Sequence, residues 1–273
     1  MKTLFFGTSA FAVPSLRVTA ARSNLAGVVT QPDRQAGRGH KLTPSPVKTC
    51  ARELGVRVHE PLKLREFAAS IANERFDLLV LASYGRILPK ELLALPPQGA
   101  LNVHPSLLPK YRGATPIQTA LRNGDAETGV SIMLMDAGLD TGDVVLSERV
   151  PIEPGETYGE LHDRLALRGA DLLGRALDLA ATGHPLPRTP QRGESSLTKP
   201  IAKDDLVIDW SWPPQRIVDH VRAYAPQPAA RAMLEGETVK VLRAHIGDGG
   251  KVEIDELIAP NRGRMSWSQY VQR

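Results

Sequence analysis

The chain has 273 residues, 42% apolar and 23% charged, with a formal net charge of +4, so it can bury a substantial core and is only mildly basic. A single cysteine, Cys50, excludes a disulfide framework or a thiolate metal site within the chain and points to a reducing cytoplasm. No run approaches a membrane span, and residues 1–9 lack the basic lead and long apolar stretch of a signal peptide.

Residues 3–6 read as a buried strand that stops at Gly7. Ser9 is placed to cap a helix over 13–19, with Pro14 tolerated in its first turn. Strand, glycine and helix suggest a Rossmann-like start, but Gly7-Thr8-Ser9-Ala10 is not G-x-G-x-x-G, which argues against a bound dinucleotide. A second strand over 25–30 leads into a Gly- and Pro-rich loop, 31–44, that carries Arg34, Arg38 and Lys41. Such a loop at a strand end is a candidate finger for phosphate or nucleic acid, beside the plainer reading of a solvated surface loop. Ser45 and Pro46 then start a helix that runs to 54.

Residues 57–59 form a short strand and 64–73 a helix. Residues 77–83 are almost wholly apolar, as expected of a strand in a sheet interior. A short helix over 90–95 precedes a strand over 99–104, which ends in Asn102 and His104. Strands alternate with helices to this point, the pattern of a mostly parallel sheet with helices on both faces. Thr115 and Pro116 open a helix to 122, strands follow over 128–135 and 143–150, and a tight turn through Asp140 joins them. Residues 157–181 make the longest helix, with Thr157 and Glu160 as a capping box and an apolar stripe at 161, 165, 169/170, 172/173 and 177. Residues 183–196 read as a linker. Beyond it, strands over 206–212 and 239–244 flank a helix over 214–223, a separate small module.

Asn102 and His104 are two apart, so on a strand they share a face. They stand at the strand's C-terminal end, where open α/β sheets bind ligands. An amide donor beside an imidazole is equipped to hold an oxyanion and move a proton. A carboxylate near His104 would fix its tautomer, and Asp136, Asp140 and Asp143 all stand in the next polar cluster; spacing does not choose among them. Either residue alone would read as an ordinary hydrogen-bonded side chain. Cys50 reads as a buried apolar cysteine, the remaining histidines lack metal-ligand spacing, and Trp210 and Trp212 read as small-module core.

The run Asn102-Val103-His104-Pro105-Ser106-Leu107-Leu108-Pro109, with Tyr111-Arg112-Gly113 and Met135-Asp136-Ala137-Gly138-Leu139-Asp140-Thr141-Gly142, resembles the folate-dependent formyltransferases. Gln31-Pro32-Asp33-Arg34, Gly37-Arg38-Gly39 and Pro44-Ser45-Pro46-Val47-Lys48 resemble the methionyl-tRNA branch of that family, and the likeness extends over nearly the whole chain. The resemblance implies a Rossmann-like catalytic domain over 1–183, a linker over 184–203 and a barrel-like C-terminal domain over 204–273. It implies formyl transfer from 10-formyltetrahydrofolate to the amine of methionyl initiator tRNA. Asn102, His104 and Asp140 would be the catalytic trio, Ser106, Leu107, Leu108 and Pro109 the folate contact, and Arg34, Arg38 and Lys41 the tRNA contact. No metal is implied, nor any membrane partner, and a cytoplasmic monomer is expected.

Two departures from the family pattern stand out. Gln227 occupies a position where tryptophan is usual, and the region after Ala244 is short, so the barrel is expected to lack strands. A formyltransferase of an amino sugar-nucleotide or other small amine would share the trio but not the basic loop. A folate- or RNA-binding relative without activity would not need the trio.

Overall fold

The computed structural model describes residues 1–36 and 41–272. The chain opens with β1 (Lys2–Gly7), α1 (Ala12–Arg22), β2 (Asn24–Val29), β3 (Arg34–Ala36), β4 (Lys41–Thr43), α2 (Pro46–Glu53), β5 (Val58–His59), α3 (Leu64–Ser70), β6 (Leu78–Ala82), α4 (Lys90–Leu93) and β7 (Ala100–His104). It continues through β8 (Arg112–Gly113), α5 (Pro116–Arg122), β9 (Glu127–Leu134), β10 (Val144–Pro151), α6 (Tyr158–Ala181) and β11 (Leu197–Thr198). The last elements are α7 (Pro214–Tyr224), β12 (Ala230–Leu234), β13 (Glu237–Ile246), β14 (Val252–Ala259), β15 (Gly263–Ser266) and α8 (Trp267–Val271). No helix among the described residues is long and apolar enough to cross a membrane.

The main sheet runs β10-β9-β7-β6-β1-β2-β5. The neighbours from β7 to β5 pair in parallel, and β9 turns against β7, with Asn102 opposite Met133 and His104 opposite Ser131. The expected α/β class with a mostly parallel sheet is therefore observed. The apolar run of β6 is wholly buried, as its composition requires, among Leu4, Phe6, Leu79, Leu81, Tyr84 and Leu92. Helix α6 packs Leu161, Leu165, Leu172, Leu173 and Leu177 inward, the stripe that its periodicity marks. Where it crosses β7 and β9 it needs Gly169, since a Cβ there would lie 2.8 Å from Val103.

Met1–Arg112, Gly129–Arg149 and Arg164–Ser195 form one compact unit; Gly113–Thr128, Val150–Asp163 and Ser196–Arg273 form a second. The units interleave along the chain, so α5 and the first turn of α6 group with the C-terminal elements. Within the second unit β12-β13-β14-β15 make an antiparallel sheet on which α7 and α8 supply Ile217, Val221, Tyr224 and Tyr270 to the core.

Several local expectations are corrected. Ser9 does not cap α1; its hydroxyl donates to Ser83 Oγ at 2.7 Å. Thr115 makes no side-chain cap on α5, because its hydroxyl donates to the Lys199 carbonyl. Residues 206–212 are not a strand: a 3-10 turn over Asp204–Leu206 is followed by Asp209 accepting from Ser211 N and Oγ, an Asx turn that stops extension. Trp212 is half-buried against His220, whereas Trp210 is 45% exposed rather than core. The 31–44 segment contains the β3–β4 pairing, with Arg34 opposite Thr43 and Ala36 opposite Lys41. The linker is pinned: Val144 and Thr189 exchange two backbone bonds of 2.9 Å, and Thr115 N donates to Thr198 Oγ1. Gly247–Gly250 makes the hairpin turn between β13 and β14, and β15 pairs with β14 beyond it.

The base of the 31–44 segment is held by charge and amide bonds. Lys48, its side chain 7% exposed, places Nζ 2.7 Å from Asp33 and 2.8 Å from Glu60. The hydrogen bonds to those two carboxylates hold the Lys48 ammonium above its ordinary pKa. Gln31 donates to the Tyr84 carbonyl at 2.7 Å, and Thr30 bonds Ser45, which caps α2 by accepting from Lys48 N. Breaking a buried ion pair by removing one partner costs about 3–5 kcal/mol, and the partial exposure of both carboxylates reduces this to roughly 2 kcal/mol. Lys48→Met is therefore expected to lower the unfolding free energy in urea by about that amount; a change below ~0.5 kcal/mol would show the cluster to be a screened surface pair.

Candidate active site

Strand β7 presents Asn102 and His104 on one face because side chains alternate, while Val103 between them faces α6. His104 is 4% exposed and Asn102 half-buried. His104 Nε2 lies 2.9 Å from the Tyr111 carbonyl. A carbonyl only accepts, so Nε2 carries the proton and the lone pair of the neutral ring sits on Nδ1. Nδ1 faces Asp140 Oδ2 at 3.6 Å. The ring is thus oriented by the backbone, and Asp140 stands just beyond hydrogen-bond length.

The three aspartates separate once the loop 135–143 is traced. Asp136 Oδ1 accepts from Gly138 N at 2.9 Å and Thr141 Oγ1 at 2.6 Å, so its carboxylate is used to shape the loop. Asp143 contributes its carbonyl to Leu134 N. Asp140 is the carboxylate that reaches His104, and it does so from a left-handed backbone, φ +52°. Gly142 is required behind it, because a Cβ there would lie 1.8 Å from the Leu134 carbonyl oxygen.

The segment 106–109 sits beside this pair. Ser106 is buried and its hydroxyl donates to the Lys110 carbonyl at 2.6 Å. Leu107, Leu108 and Pro109 are half-buried. Ser131 fastens the segment: its hydroxyl donates to the Ser106 carbonyl at 2.7 Å and accepts from Leu108 N at 3.2 Å. Ser131 and Tyr111 were not singled out by sequence reasoning. Ser131 carries a signal, a hydroxyl on a strand otherwise apolar and buried; Tyr111 acts through its backbone and carries none. Gln191, inside the predicted linker, donates to the Asp140 and Gly142 carbonyls and accepts from Arg112.

The basic residues are not brought together with the trio by any contact in the described residues. Arg34 is exposed on β3 and donates to Gln31 Oε1. Lys41 lies on β4, and Arg38 is outside the described residues. Cys50 is buried, and burial pushes its thiol pKa up.

Burial holds the His104 imidazole below its ordinary pKa, against the opposing pull of the Asp140 charge and the Tyr111 carbonyl. The folded state then binds fewer protons than the unfolded chain. His104 therefore contributes stability present above about pH 6.5 and lost as pH falls toward its folded value. The Cε1 proton of His104 is expected to titrate below about 6.5 in NMR, and lower again in Asp140→Asn, which removes the charge that pulls it up. A midpoint in that variant at or above the wild-type value would contradict this balance.

The formyl transferase family matches residues 1–177, and the formyl transferase C-terminal domain matches residues 200–262. The methionyl-tRNA formyltransferase of Xylella fastidiosa strain 9a5c is 47% identical over 247 residues, covering 89% of this chain and 80% of the relative. The enzyme of the same name from Xanthomonas euvesicatoria pv. vesicatoria strain 85-10 is 48% identical over 244 residues, covering 88% and 80%. Among solved structures, HypX from Aquifex aeolicus in complex with tetrahydrofolic acid shares the fold with a TM-score of 0.68 at 16% identity, over 100% of this chain and 47% of that longer one. A strand-end Asn/His pair, a facing carboxylate and these matches across both parts of the sequence lead to one conclusion: the chain belongs to the formyl transferase family.

Proposed function

We propose that this chain transfers the formyl group of 10-formyltetrahydrofolate to the α-amino group of methionyl initiator tRNA, acting as a cytoplasmic monomer. The observation that carries the reading is the convergence of Asn102, His104 and Asp140 at one strand end in a chain 47% identical to an enzyme of that name. The neutral amine attacks the formyl carbon; the new N–C bond forms, the carbonyl oxygen gains negative charge, and the C–N10 bond then breaks. The Asn102 amide is suited to donate to that oxygen. His104, held neutral by burial, is suited to take a proton from the attacking amine at Nδ1 and pass it on to the leaving folate nitrogen. The resulting imidazolium would have Asp140 on one side and the Tyr111 carbonyl on the other, both favouring charge. The Ser106–Pro109 segment, fastened by Ser131, is a firm wall for the folate, and holding two large substrates in line supplies much of the rate.

The test is transfer of labelled formyl from 10-formyltetrahydrofolate to methionyl initiator tRNA, run beside free methionine and an amino sugar-nucleotide. Asp140→Asn is expected to lower kcat by roughly 10²–10⁴-fold, the range of a general acid–base contribution, with little change in KM for the folate. His104→Ala should behave alike, and the double variant should be no worse than the weaker single, because the pair acts as a unit. Near-normal turnover in Asp140→Asn would remove it from the mechanism, and formyl transfer to the sugar amine alone would favour the small-amine reading.

The basic loop is assigned to the tRNA. Arg34→Ala and Arg38→Ala are expected to weaken use of methionyl-tRNA and to make the rate fall less steeply with added salt, since each removes about one phosphate contact. Unchanged kinetics with tRNA at several salt concentrations would count against this assignment.

A further inference from the structure

We infer that Gln191 is a positioning residue for the catalytic pair, tying the Asp140 loop and the Tyr111 turn to each other. The inference rests on the assignment of His104 and Asp140 as that pair. Gln191 Nε2 donates to the Asp140 carbonyl at 2.9 Å and the Gly142 carbonyl at 2.7 Å. Its Oε1 accepts from Arg112 Nη2 at 2.7 Å and Nε at 3.0 Å. Carbonyls cannot donate and a guanidinium cannot accept, so this set fixes which end of the amide is which. Both amide hydrogens and the amide oxygen are used.

The two ends of this bridge are the two supports of the site. Arg112 directly follows Tyr111, whose carbonyl orients His104 through Nε2 at 2.9 Å. The other end holds the backbone of Asp140 itself, in a left-handed conformation that a non-glycine residue keeps only where its surroundings over-determine it. Gly142, whose carbonyl is the second acceptor of Gln191, sits where the chain passes too close to Leu134 for any Cβ. Asp140 therefore has little freedom at its C-terminal flank, and Gln191 removes what remains. The Nδ1–Oδ2 separation of 3.6 Å is set by the bridge between these loops and not by a bond between the two side chains. Gln191 touches neither reacting atoms nor substrate in this arrangement; it acts through Asp140 and Tyr111.

The experiment is formyl transfer under single-turnover conditions with Gln191→Leu, Gln191→Glu, Asp140→Asn and the double variant Gln191→Leu with Asp140→Asn, with thermal melts alongside. Gln191→Leu is expected to lower the rate about 10- to 100-fold, the scale of an ångström-level misplacement, with KM for the folate unchanged. Gln191→Glu keeps the acceptor for Arg112 but loses the donors to both carbonyls, so it should be as slow as Gln191→Leu. In the Asp140→Asn background Gln191→Leu should cause a smaller further loss, because one of the two groups it positions is already gone. Wild-type rate in Gln191→Leu, full rescue by Gln191→Glu, or an equal loss in both backgrounds would overturn the inference. Those results leave the catalytic pair standing if Asp140→Asn is slow; a fast Asp140→Asn brings down the pair and this inference together. A Gln191→Leu protein that melts far below wild type is judged on Gln191→Glu, which keeps the Arg112 contact and carries the same expectation.

Discussion

A neutral imidazole buried at the end of a parallel strand is the constraint on which this site depends. His104 has lost its water, and burial alone disfavours its charged form. Asp140 opposes that: a unit charge pair at ~4 Å is worth about 4 kcal/mol at an effective dielectric near 20. Burial wins, so the resting ring is neutral. That balance needs a fixed distance. A closer Asp140 would hold the proton permanently, and a more distant one would leave no stabilisation for the imidazolium. The sheet supplies one coordinate through β7, the Tyr111 carbonyl supplies the ring orientation, and the 135–143 loop supplies the carboxylate.

What the sequence revealed of this site follows from which geometry is periodic. Asn102 and His104 were legible because a strand alternates faces, and the apolar residues around them marked the strand. Asp140 was not legible from spacing, since the loop holds three aspartates and only tracing their partners separates them. Asp136 is occupied by Gly138 and Thr141, a local Asx arrangement that any Asp–x–Gly could form. The family motif pointed to Asp140, whose distance to His104 agrees with that role without testing it. The roles of Tyr111 and Gln191 were not legible, for different reasons: Tyr111, although in a stretch that resembles the family, acts through a carbonyl that every residue has, and Gln191 lies in irregular chain that carries no period at all.

An apolar pattern makes a strand only where a ladder continues beside it. Gly247-Asp248-Gly249-Gly250 bends the chain back between β13 and β14. It is a turn with Gly250 at φ +69°, after which Val252 and Ile254 and, past a shift in register, Leu257 and Ala259 pack on the same core. Leu257 and Ala259 are buried with Val239 and Val241 across the ladder, so the strand is held by its core face even though its outer face is charged. At 206–212 apolar residues suggest a strand that does not form. Leu206 and Ile208 are buried, but Asp209 diverts the backbone after Ile208 takes a single bond to the Arg231 carbonyl. Burial without a continuing ladder is a bridge and not a strand.

The base of the 31–44 segment is pre-organised by charge and amide bonds. A long cationic side chain loses rotamer entropy when it grips a phosphate, which offsets part of the contact's strength. Here part of that ordering precedes binding. Arg34 is already directed by Gln31, whose amide is in turn held by the Tyr84 carbonyl at the end of β6. Asp33 is tied to α2 through Lys48, and the same lysine reaches Glu60 after β5. The cluster also answers an electrostatic problem. Asp33 and Glu60 bring two negative charges to the base of this segment, and the Lys48 ammonium, turned inward, offsets one of them, while Arg34 is exposed. Lys48 thereby fixes the position, and part of the local charge, at the base of the segment that carries Arg34.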